Sequence, residues 1–430
     1  MNKYILYYLF IYKRNIYIYK KEMKNKIIKI SFVLIICNLL WVFFKNNKFF
    51  NKSDIERNFF MLKGPLSRQG YDWWWHSLTA YNKQTGEPRQ FFIEYFTCNP
   101  DLAEDKPILG QSIENKNKGK KPSYFMLKVG GWGKEAKQLH NFYSMKEFKC
   151  PDDKLDIKVG DKISLSEKHM KGFCKVTEEE AKNRPEYMSN SGEMKWDLEI
   201  NKLITFNVGY GASQFFRKLN SFEMFWHVEG VKTQYRGTIE MDGITYEVIP
   251  EKSYGYADKN WGADFTSPWL WIASSNLKSL ITGKKLGNSA FVAGGGKPKA
   301  FGISLPRKLL IGLYYEGEEY EYNFAKFWNN VKIDFGFEEG KEENKWFINA
   351  SNWNSKIELK LSSKRSEMLL LNYESPNGKK LHNRLWNGGN GNGEIKLMKK
   401  DGTLIDHIKI ENAGCEYGEY DDDRTHNIIE

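Results

Sequence analysis

Four segments of this 430-residue chain combine tryptophan with acidic, basic or imidazole side chains. They are G-Y-D-W-W-W-H-S-L (70–78), F-E-M-F-W-H-V-E-G (222–230), Y-A-D-K-N-W-G-A-D-F-T-S-P-W-L-W-I-A-S-S-N (256–276) and L-H-N-R-L-W-N-G-G-N-G-N-G (381–393). Alternate residues of a strand face the same side, so Trp73 and Trp75 share a face. The same holds for Trp269 and Trp271. The pattern predicts an aromatic-lined cavity for a hydrophobic ligand, with a few polar groups beside the tryptophans.

The elements that must position these side chains are mostly strands. Short apolar or alternating runs recur after residue 58, for example at 88–97, 123–129 and 203–208, and each is typical of a strand. The polar stretch 101–121 predicts a long loop, and 178–184 predicts a short helix. A chain with many strands and few helices indicates an all-β barrel or sandwich.

Two Asp-Gly pairs stand between alternating runs and predict hairpins over 235–248 and 394–410, because both turn residues tolerate positive φ. A histidine precedes each hairpin, at His227 and His382. A segment rich in acids, tyrosine and glycine follows each one, S-Y-G-Y-A-D-K-N-W-G in the first case and G-C-E-Y-G-E-Y in the second. This internal echo predicts two tandem antiparallel β-barrels.

Two glycine runs also stand out. G-G-G-K-P at 294–298 lacks the spacing of a phosphate-binding loop and predicts a turn. G-G-N-G-N-G at 388–393 predicts a loop.

The predicted domains are a low-complexity N-terminus over 1–52, a first barrel over 60–250 and a second over 251–420. Within the first of these, 27–44 is an apolar run of 18 residues with three polar interruptions, long enough to cross a bilayer as a helix. Seven Lys/Arg precede the run and four follow it, which favours an N-terminus inside and an extracytoplasmic body on a single-pass anchor. A buried helix is the alternative, and a start at Met23 would remove the basis for the orientation.

The net charge of +11 resides mainly in the N-terminus, because residues 1–62 hold 12 Lys/Arg and 3 Asp/Glu while the remainder holds 53 and 51. We therefore expect no nucleic-acid partner. The histidines form no cluster with ligand spacing and the cysteines no C-x-x-C element, so we expect neither a metal nor another cofactor. Buried free thiols are the preferred interpretation of Cys98, Cys150, Cys174 and Cys415.

The chain resembles the tocopherol cyclase-like family from about residue 60 to its end. The family element Y-x-E-K-[DN]-W-G is matched, with Asp in place of Glu, by Tyr256, Asp258, Lys259, Asn260, Trp261 and Gly262. The family's W-x-W strand is matched by Trp269 and Trp271, its Y-H element by Trp226-His227, and loosely its opening F-E-G-W-Y strand by 70–75. The chain departs from the family at Tyr71-Asp72, at 265–268 and at Ala273-Ser274, and these departures concern the substrate rather than the fold.

The resemblance implies a lipocalin-like fold related to AttH and hydroxyneurosporene synthase, and an intramolecular lyase (isomerase) that closes a chromanol ring on a prenylated quinol. Such a reaction needs a proton donor for the alkene, stabilisation of a tertiary carbocation and a base for the phenol. A carboxyl group in an apolar cavity keeps its proton to higher pH and can be the donor. The resemblance thus makes Asp258 the acid and Lys259 its electrostatic partner or the phenol-side group. His227 is a second candidate for proton transfer and His76 a distant third.

The substrate-binding residues implied in this way are Trp75, His76, Tyr256, Asn260, Trp261, Trp269, Trp271 and Arg384, the last for an acidic head group. Each has a purely structural alternative: Asp258 and Lys259 as an ion pair that closes a barrel end, and the tryptophans as core. The expected partners are a prenylated quinol or another lipid, and a membrane. A membrane-anchored lipid carrier without chemistry and a related isoprenoid hydratase are the competing functions.

Overall fold

The computed structural model describes residues 55–205, 219–324, 329–379 and 381–419, and it confirms the predicted all-β class. The predicted anchor at 27–44 lies outside these residues. Within them, no helix is both long and apolar enough to cross a membrane. The α-helices are α1 (Ile113–Asn117), inside the predicted loop at 101–121, and α2 (Glu178–Asn183), which confirms the predicted short helix. Short 3-10 turns occupy Ile55–Asn58, Gly64–Ser67, Pro100–Leu102, Pro185–Tyr187, Pro250–Lys252 and Arg365–Glu367.

Among the described residues, the first sheet has twelve strands, all paired antiparallel. They are β1 (Tyr71–Asn82), β2 (Pro88–Cys98), β3 (Tyr124–Gly131), β4 (Lys137–Tyr143), β5 (Phe148–Lys149), β6 (Asp156–Val159), β7 (Ile163–Ser166), β8 (His169–Val176), β9 (Gly192–Ile204), β10 (Met224–Met241), β11 (Ile244–Val248) and β12 (Gly255–Gly262). The two strands β11 and β12 both lie between β1 and β10.

The second sheet has eleven strands within the described part of the chain, also antiparallel. They are β13 (Trp269–Ser274), β14 (Asn276–Ser279), β15 (Ala290–Gly296), β18 (Lys308–Tyr315), β19 (Glu318–Asn323), β20 (Lys332–Glu338), β21 (Glu343–Ser351), β22 (Ser355–Lys364), β23 (Leu369–Glu374), β24 (Leu381–Lys399) and β25 (Leu404–Gly418). A separate hairpin contains β16 (Lys299–Ala300) and β17 (Ile303–Ser304). The change from one sheet to the other falls between Gly262 and Trp269.

Both predicted Asp-Gly hairpins are confirmed. The first joins β10 to β11, where Asp242 and Gly243 have φ of 49° and 79°, as this turn requires. The second joins β24 to β25, and Gly402 has a φ of 96°.

The two glycine runs are not the predicted turn and loop, and both predictions were wrong. Residues 294–296 end β15, and 388–393 lie within β24, whose register with β25 shifts there. Glycine is required at these positions because aromatic rings pack directly against the backbone, and not because the chain turns. A Cβ on Gly389 would lie 2.2 Å from the Trp132 ring, and one on Gly294 would lie 2.8 Å from the Trp226 ring.

Among the described residues, three large apolar layers and a smaller cluster of Leu62, Leu66, Phe225 and Trp261 stabilise the sheets. The three large layers differ in position. One lies inside the first sheet, one between the two sheets and one inside the second sheet. Representative members are, in that order, Trp74 and Trp196, Trp75 and Trp271, and Ile272 and Trp346. Strands such as β12 are buried on both faces because they separate two layers, whereas β9 and β22 alternate buried and exposed residues.

Candidate active site between the two sheets

A cavity of about 30 Å³ lies in the layer between the two sheets. Its walls are Trp73, Trp75, Met224, Asp258, Asn260, Phe265, Thr266, Trp269, Trp271, Tyr373, Leu385 and Glu416. This volume holds about one or two water molecules. Larger concavities, of about 790 and 640 Å³, lie on sheet surfaces lined largely by exposed polar and charged side chains.

Asp258 projects from β12 into this cavity. Its Oδ2 accepts hydrogen bonds from Trp226 Nε1 at 2.7 Å and from the Tyr256 hydroxyl at 2.9 Å. Its Oδ1 is buried and has no hydrogen-bond partner among the described residues. Burial raises the pKa of Asp258 to about 8, against the lowering effect of the two hydrogen bonds and with a further raising effect from Glu416. The carboxyl group is therefore largely protonated at neutral pH.

Glu416 brings a second carboxyl group to the same cavity from β25. Its Oε2 accepts a hydrogen bond from Trp269 Nε1 at 3.1 Å, and its Oε1 accepts a short one from the Asn387 amide. Trp132 Nε1 donates to the Asn387 carbonyl at 2.8 Å and so fixes the amide orientation. Burial raises the pKa of Glu416 to about 7, and the bonds from Asn387 and Trp269 oppose that rise.

Three buried N–H donors at the cavity lack an acceptor within the described part of the chain. They are the indole nitrogens of Trp73 and Trp75 and the side-chain nitrogen of Asn260. The Asn260 carbonyl oxygen, by contrast, accepts from the Tyr71 hydroxyl. Buried polar atoms are nearly always paired in folded proteins, so these donors are placed to bind oxygen atoms of a ligand or of water in the cavity.

The tryptophan wall depends on close backbone packing. Trp271 packs against Tyr256 with 5.1 Å between ring centroids and donates from Nε1 to the Tyr256 hydroxyl at 3.2 Å. A Cβ on Gly414 would lie 2.3 Å from the Trp271 ring, so only glycine lets the indole occupy this position. The result is a chain of contacts from Trp271 through Tyr256 to Asp258.

Several predicted site residues meet at this cavity. Trp75, Asp258, Asn260, Trp269 and Trp271 line it, as the alternation of β1, β12 and β13 predicts. Tyr256 stands directly behind, as a hydrogen-bond donor to Asp258.

Lys259 lies on the opposite face of β12 and does not contact Asp258. Its ammonium group donates to Asp72 in a fully buried ion pair and sits 3.9 Å from the centroid of the Trp74 ring. Trp261 is on the same side and stacks on Phe225 with 5.4 Å between ring centroids. The strand alternation that exposes Asp258 to the cavity excludes Lys259 and Trp261 from it.

The remaining predicted residues also lie away from the cavity. His227 is on the face of β10 opposite Trp226, next to Lys259 across the β10–β12 ladder. His76 is buried inside the first sheet, with its Nδ1 2.9 Å from the Tyr235 hydroxyl, and burial lowers its pKa to about 3. Arg384 is exposed.

Sequence reasoning left out Glu416 and Tyr373, and it placed Trp73 beside Trp75 without assigning it a role in the site. The signal for Glu416 was the internal echo, since Gly255 precedes Asp258 by three residues and Gly414 precedes Glu416 by two. Tyr373 carried no such signal. Its hydroxyl donates to the buried Glu94 at 2.8 Å, a contact between residues 279 positions apart.

Among the described residues, no group of three or more His, Cys, Asp or Glu side chains is placed to hold a metal ion. The body cysteines are free thiols, with Cys98, Cys174 and Cys415 buried and Cys150 half-buried.

Comparisons with known proteins show which family this chain resembles. A family model described as tocopherol cyclase-like matches residues 105–419. A chloroplastic protein of Oryza sativa subsp. japonica, named a probable tocopherol cyclase, is 31% identical over 144 residues, which are 33% of this chain and 28% of that protein. The chloroplastic tocopherol cyclase of Zea mays is 31% identical over 115 residues, 27% of this chain and 23% of that one. This chain thus matches about a quarter of the length of each plant protein. It also aligns with kievitone hydratase from Nectria haematococca at 14% identity and a TM-score of 0.43, over 83% of this chain and 93% of that structure.

Proposed function

Because the chain belongs to the tocopherol cyclase-like family, we propose that it closes a chromanol-type ring on a prenylated quinol. The observation that carries this proposal is Asp258, a buried, protonated carboxyl group with one unpaired oxygen beside a wall of tryptophans. Such a group can protonate an alkene in a site from which water is excluded.

The reaction begins with transfer of the Asp258 proton to the less substituted alkene carbon. A C–H bond forms, the π bond breaks and a tertiary carbocation remains. The phenol oxygen then bonds to the cationic carbon, and the phenol proton leaves. Substrate and product have the same composition, so the enzyme is an intramolecular lyase of the isomerase type.

Glu416 is the proposed acceptor of the phenol proton. Burial raises the pKa of both carboxyl groups toward neutrality, and an ionised Glu416 raises that of Asp258 further, so the pair favours a state in which only one of the two is ionised. The proposed working state has that charge on Glu416 and the proton on Asp258. The proton then returns from Glu416 to Asp258, and the starting state is restored. Two carboxyl groups of different pKa in one site are a common way to supply an acid and a base together.

The tryptophans of the wall stabilise the cation. An aromatic face contributes roughly 0.5–2 kcal/mol to a nearby cation, more when the site is desolvated. The unpaired N–H groups of Trp73, Trp75 and Asn260 hold the quinol oxygens. These groups orient the phenol toward the prenyl double bond and also fix which end of the substrate meets Asp258.

A second cavity, of about 50 Å³, adjoins the first and shares Met224, Thr266 and Trp269 with it. Its other walls include Phe225, Trp226, Leu310 and the glycines of β15. We assign the prenyl chain to this apolar space. Both cavities are small for a prenylated quinol, so the shared side chains must move on binding, and Met224 is the most adaptable of them.

The proposed roles differ from those implied by family resemblance. Asp258 keeps the role of acid, but the buried pair of Lys259 with Asp72 supports a structural role for Lys259. Glu416 takes the phenol-side role instead. A catalytic role for His227 stays a prediction.

The test is to incubate the full-length protein in detergent with a reduced lipid extract of its own cells in D2O. Cyclisation gives an isomer with one carbon-bound deuterium, which untargeted mass spectrometry detects. Asp258→Asn should abolish that isomer, whereas Asp258→Glu should retain part of the rate. Full activity in Asp258→Asn would refute the assignment of the acid.

A hydratase is the second candidate, because three unpaired donors and room for one or two waters also suit water as the nucleophile. In that case the product gains the elements of water in the same experiment. A lipid that is retained on the protein without any change in mass identifies a carrier.

We also propose a membrane-associated protein with two barrel domains, anchored through 27–44. The change of sheet between Gly262 and Trp269 supports two domains and suggests a junction there rather than at the predicted residue 251. Protease protection of the body in sealed membrane vesicles from its own cells checks the predicted extracytoplasmic orientation.

A further inference from the structure

The hairpin 299–304 presents its apolar side chains to solvent. Phe301 is 66% exposed and Ile303 is 69% exposed, among the highest values for large apolar residues in the described part of the chain. The strands β16 and β17 are two residues each, and Phe301-Gly302 forms the turn between them.

The backbone at this turn makes the phenylalanine unusual. Phe301 has a φ of 49° and Gly302 a φ of 77°, the pattern of a turn that normally takes Asn, Asp or Gly at both positions. A bulky residue at positive φ is strained. Here the fold gains no burial in return, since the ring is largely in water. An aromatic residue that is both strained and exposed is more typical of a binding function than of a role in stabilising the fold.

The surroundings of the hairpin are basic. From Phe265 to Tyr315 the sequence contains seven Lys/Arg and no Asp or Glu. Lys297 and Arg307 flank the hairpin and are exposed. Lys299 forms an ion pair with Glu223 at 3.1 Å, which attaches the base of the hairpin to the segment before β10.

The hairpin also stands beside the second cavity. Pro298, immediately before it, and Lys308, shortly after it, both line that cavity. Ala300 forms a β-bridge with Phe222, another residue of the cavity wall. The exposed apolar side chains are therefore carried by the same short segment that borders the space assigned to the prenyl chain.

We propose that the hairpin 299–304 docks on an anionic lipid bilayer, with Phe301 and Ile303 in the interfacial region and Lys297 and Arg307 against lipid phosphates. Apolar side chains flanked by basic ones are the combination that binds such a surface. The link to substrate entry rests on the proposed function: a prenylated quinol would pass from the bilayer to the second cavity without crossing water.

The test is hydrogen–deuterium exchange of the full-length protein, with and without vesicles. Vesicles of phosphatidylcholine containing phosphatidylglycerol should slow exchange of peptides that span 297–308, by roughly tenfold for the most protected amides, and pure phosphatidylcholine should have a weaker effect. The double variant Phe301→Ser/Ile303→Ser should lose this protection.

A matched control exists at the other end of β13–β14. Leu280 and Ile281 are 43% and 58% exposed and have lysines nearby, but they do not line either cavity. The variant Leu280→Ser/Ile281→Ser should keep the vesicle-dependent protection of 297–308. Equal loss in both double variants, or no protection of 297–308 in the wild type, would overturn the proposal. If the hairpin binds a protein partner instead, vesicles should give no protection of 297–308 in the wild type.

Failure of the docking proposal and failure of the proposed function are distinguishable. Formation of the deuterated isomer in detergent micelles should be the same in Phe301→Ser/Ile303→Ser as in the wild type. Its formation from substrate in anionic vesicles should fall several-fold in that variant only. An isomer formed equally well from both sources would refute docking and leave the cyclase proposal intact.

Discussion

Trp226→Phe should shift the alkaline limit of activity to higher pH. The indole N–H of Trp226 donates to Asp258 at 2.7 Å and stabilises the ionised carboxylate, which opposes the effect of burial. Phenylalanine keeps an aromatic ring but removes that donor. With the donor absent, the carboxyl group should hold its proton more tightly.

The size of the shift follows from the strength of one hydrogen bond. A bond to a charged acceptor contributes about 1.5–3 kcal/mol, and one pKa unit corresponds to about 1.4 kcal/mol. The pKa of Asp258 should therefore rise from about 8 by roughly one to two units. The Tyr256 hydroxyl, at 2.9 Å, remains as the second donor in this variant.

Two measurements report the pKa of Asp258. One is the pH profile of deuterated isomer formation, whose alkaline limb reports the acid. The other needs no substrate: an infrared titration of the protonated-carboxyl band, in which Asp258→Asn identifies the contribution of this residue. Both should shift upward in Trp226→Phe.

Trp75→Phe is the matched control. It makes the same chemical change at a tryptophan that pairs with Asp258 across the β1–β12 ladder, but the Trp75 indole nitrogen has no acceptor among the described residues and donates no hydrogen bond to Asp258. Its alkaline limb should stay near the wild-type position, whatever happens to the rate. An unmoved limb in Trp226→Phe, or an equal shift in both variants, would refute the assignment of Asp258 as the acid.

Three further predictions concern the buried carboxyl groups of Glu416, Asp72 and Asp258. Glu416→Gln should remove the acidic limb near pH 7, because the base is lost, and should move the alkaline limb to lower pH, because the Glu416 charge that raises the pKa of Asp258 is lost with it; a pH–rate profile shows both effects. Asp72→Asn leaves Lys259 buried without its anion and should lower the free energy of unfolding by about 3–5 kcal/mol in urea denaturation. The pKa of Asp258 is about 8 in the folded state and 3.8 in the unfolded state. The contribution of this residue to the free energy of unfolding is therefore fully present below pH 3.8 and is lost as the pH rises to about 8. Relative to Asp258→Asn, the wild type should therefore lose roughly 4–6 kcal/mol across that range, measured by urea denaturation at each pH. A pH-independent difference between the two proteins would contradict this sign.

The fold class and much of the cavity wall could be predicted from the sequence because both depend on local periodicity. Alternation placed Trp73 with Trp75 and Trp269 with Trp271, and the Asp-Gly pairs marked two hairpins. These signals span a few residues and need no knowledge of which strands meet.

Long-range packing decided the features that the sequence did not reveal. Glu416 lies 158 positions from Asp258 along the chain, and only the stacking of two sheets brings both to one cavity. The run 388–393 resembled a loop because glycine is common in turns, yet its glycines admit the Trp132 ring from the other sheet. Lys259 was predicted as the electrostatic partner of Asp258, but adjacent residues of a strand face opposite sides.

The arrangement of charges across β12 explains how an acid can persist in this site. Each carboxyl group at the cavity accepts hydrogen bonds from neutral donors: Trp226 and Tyr256 for Asp258, and Trp269 and Asn387 for Glu416. Neutral donors offset desolvation only in part, so both pKa values stay near neutrality. Had Lys259 faced the cavity, its ammonium group would have held Asp258 ionised and removed the proton that the reaction needs. The strand instead directs that cation to Asp72 on its other face, so strand alternation separates the ion pair that stabilises the sheet from the carboxyl group that carries the chemistry.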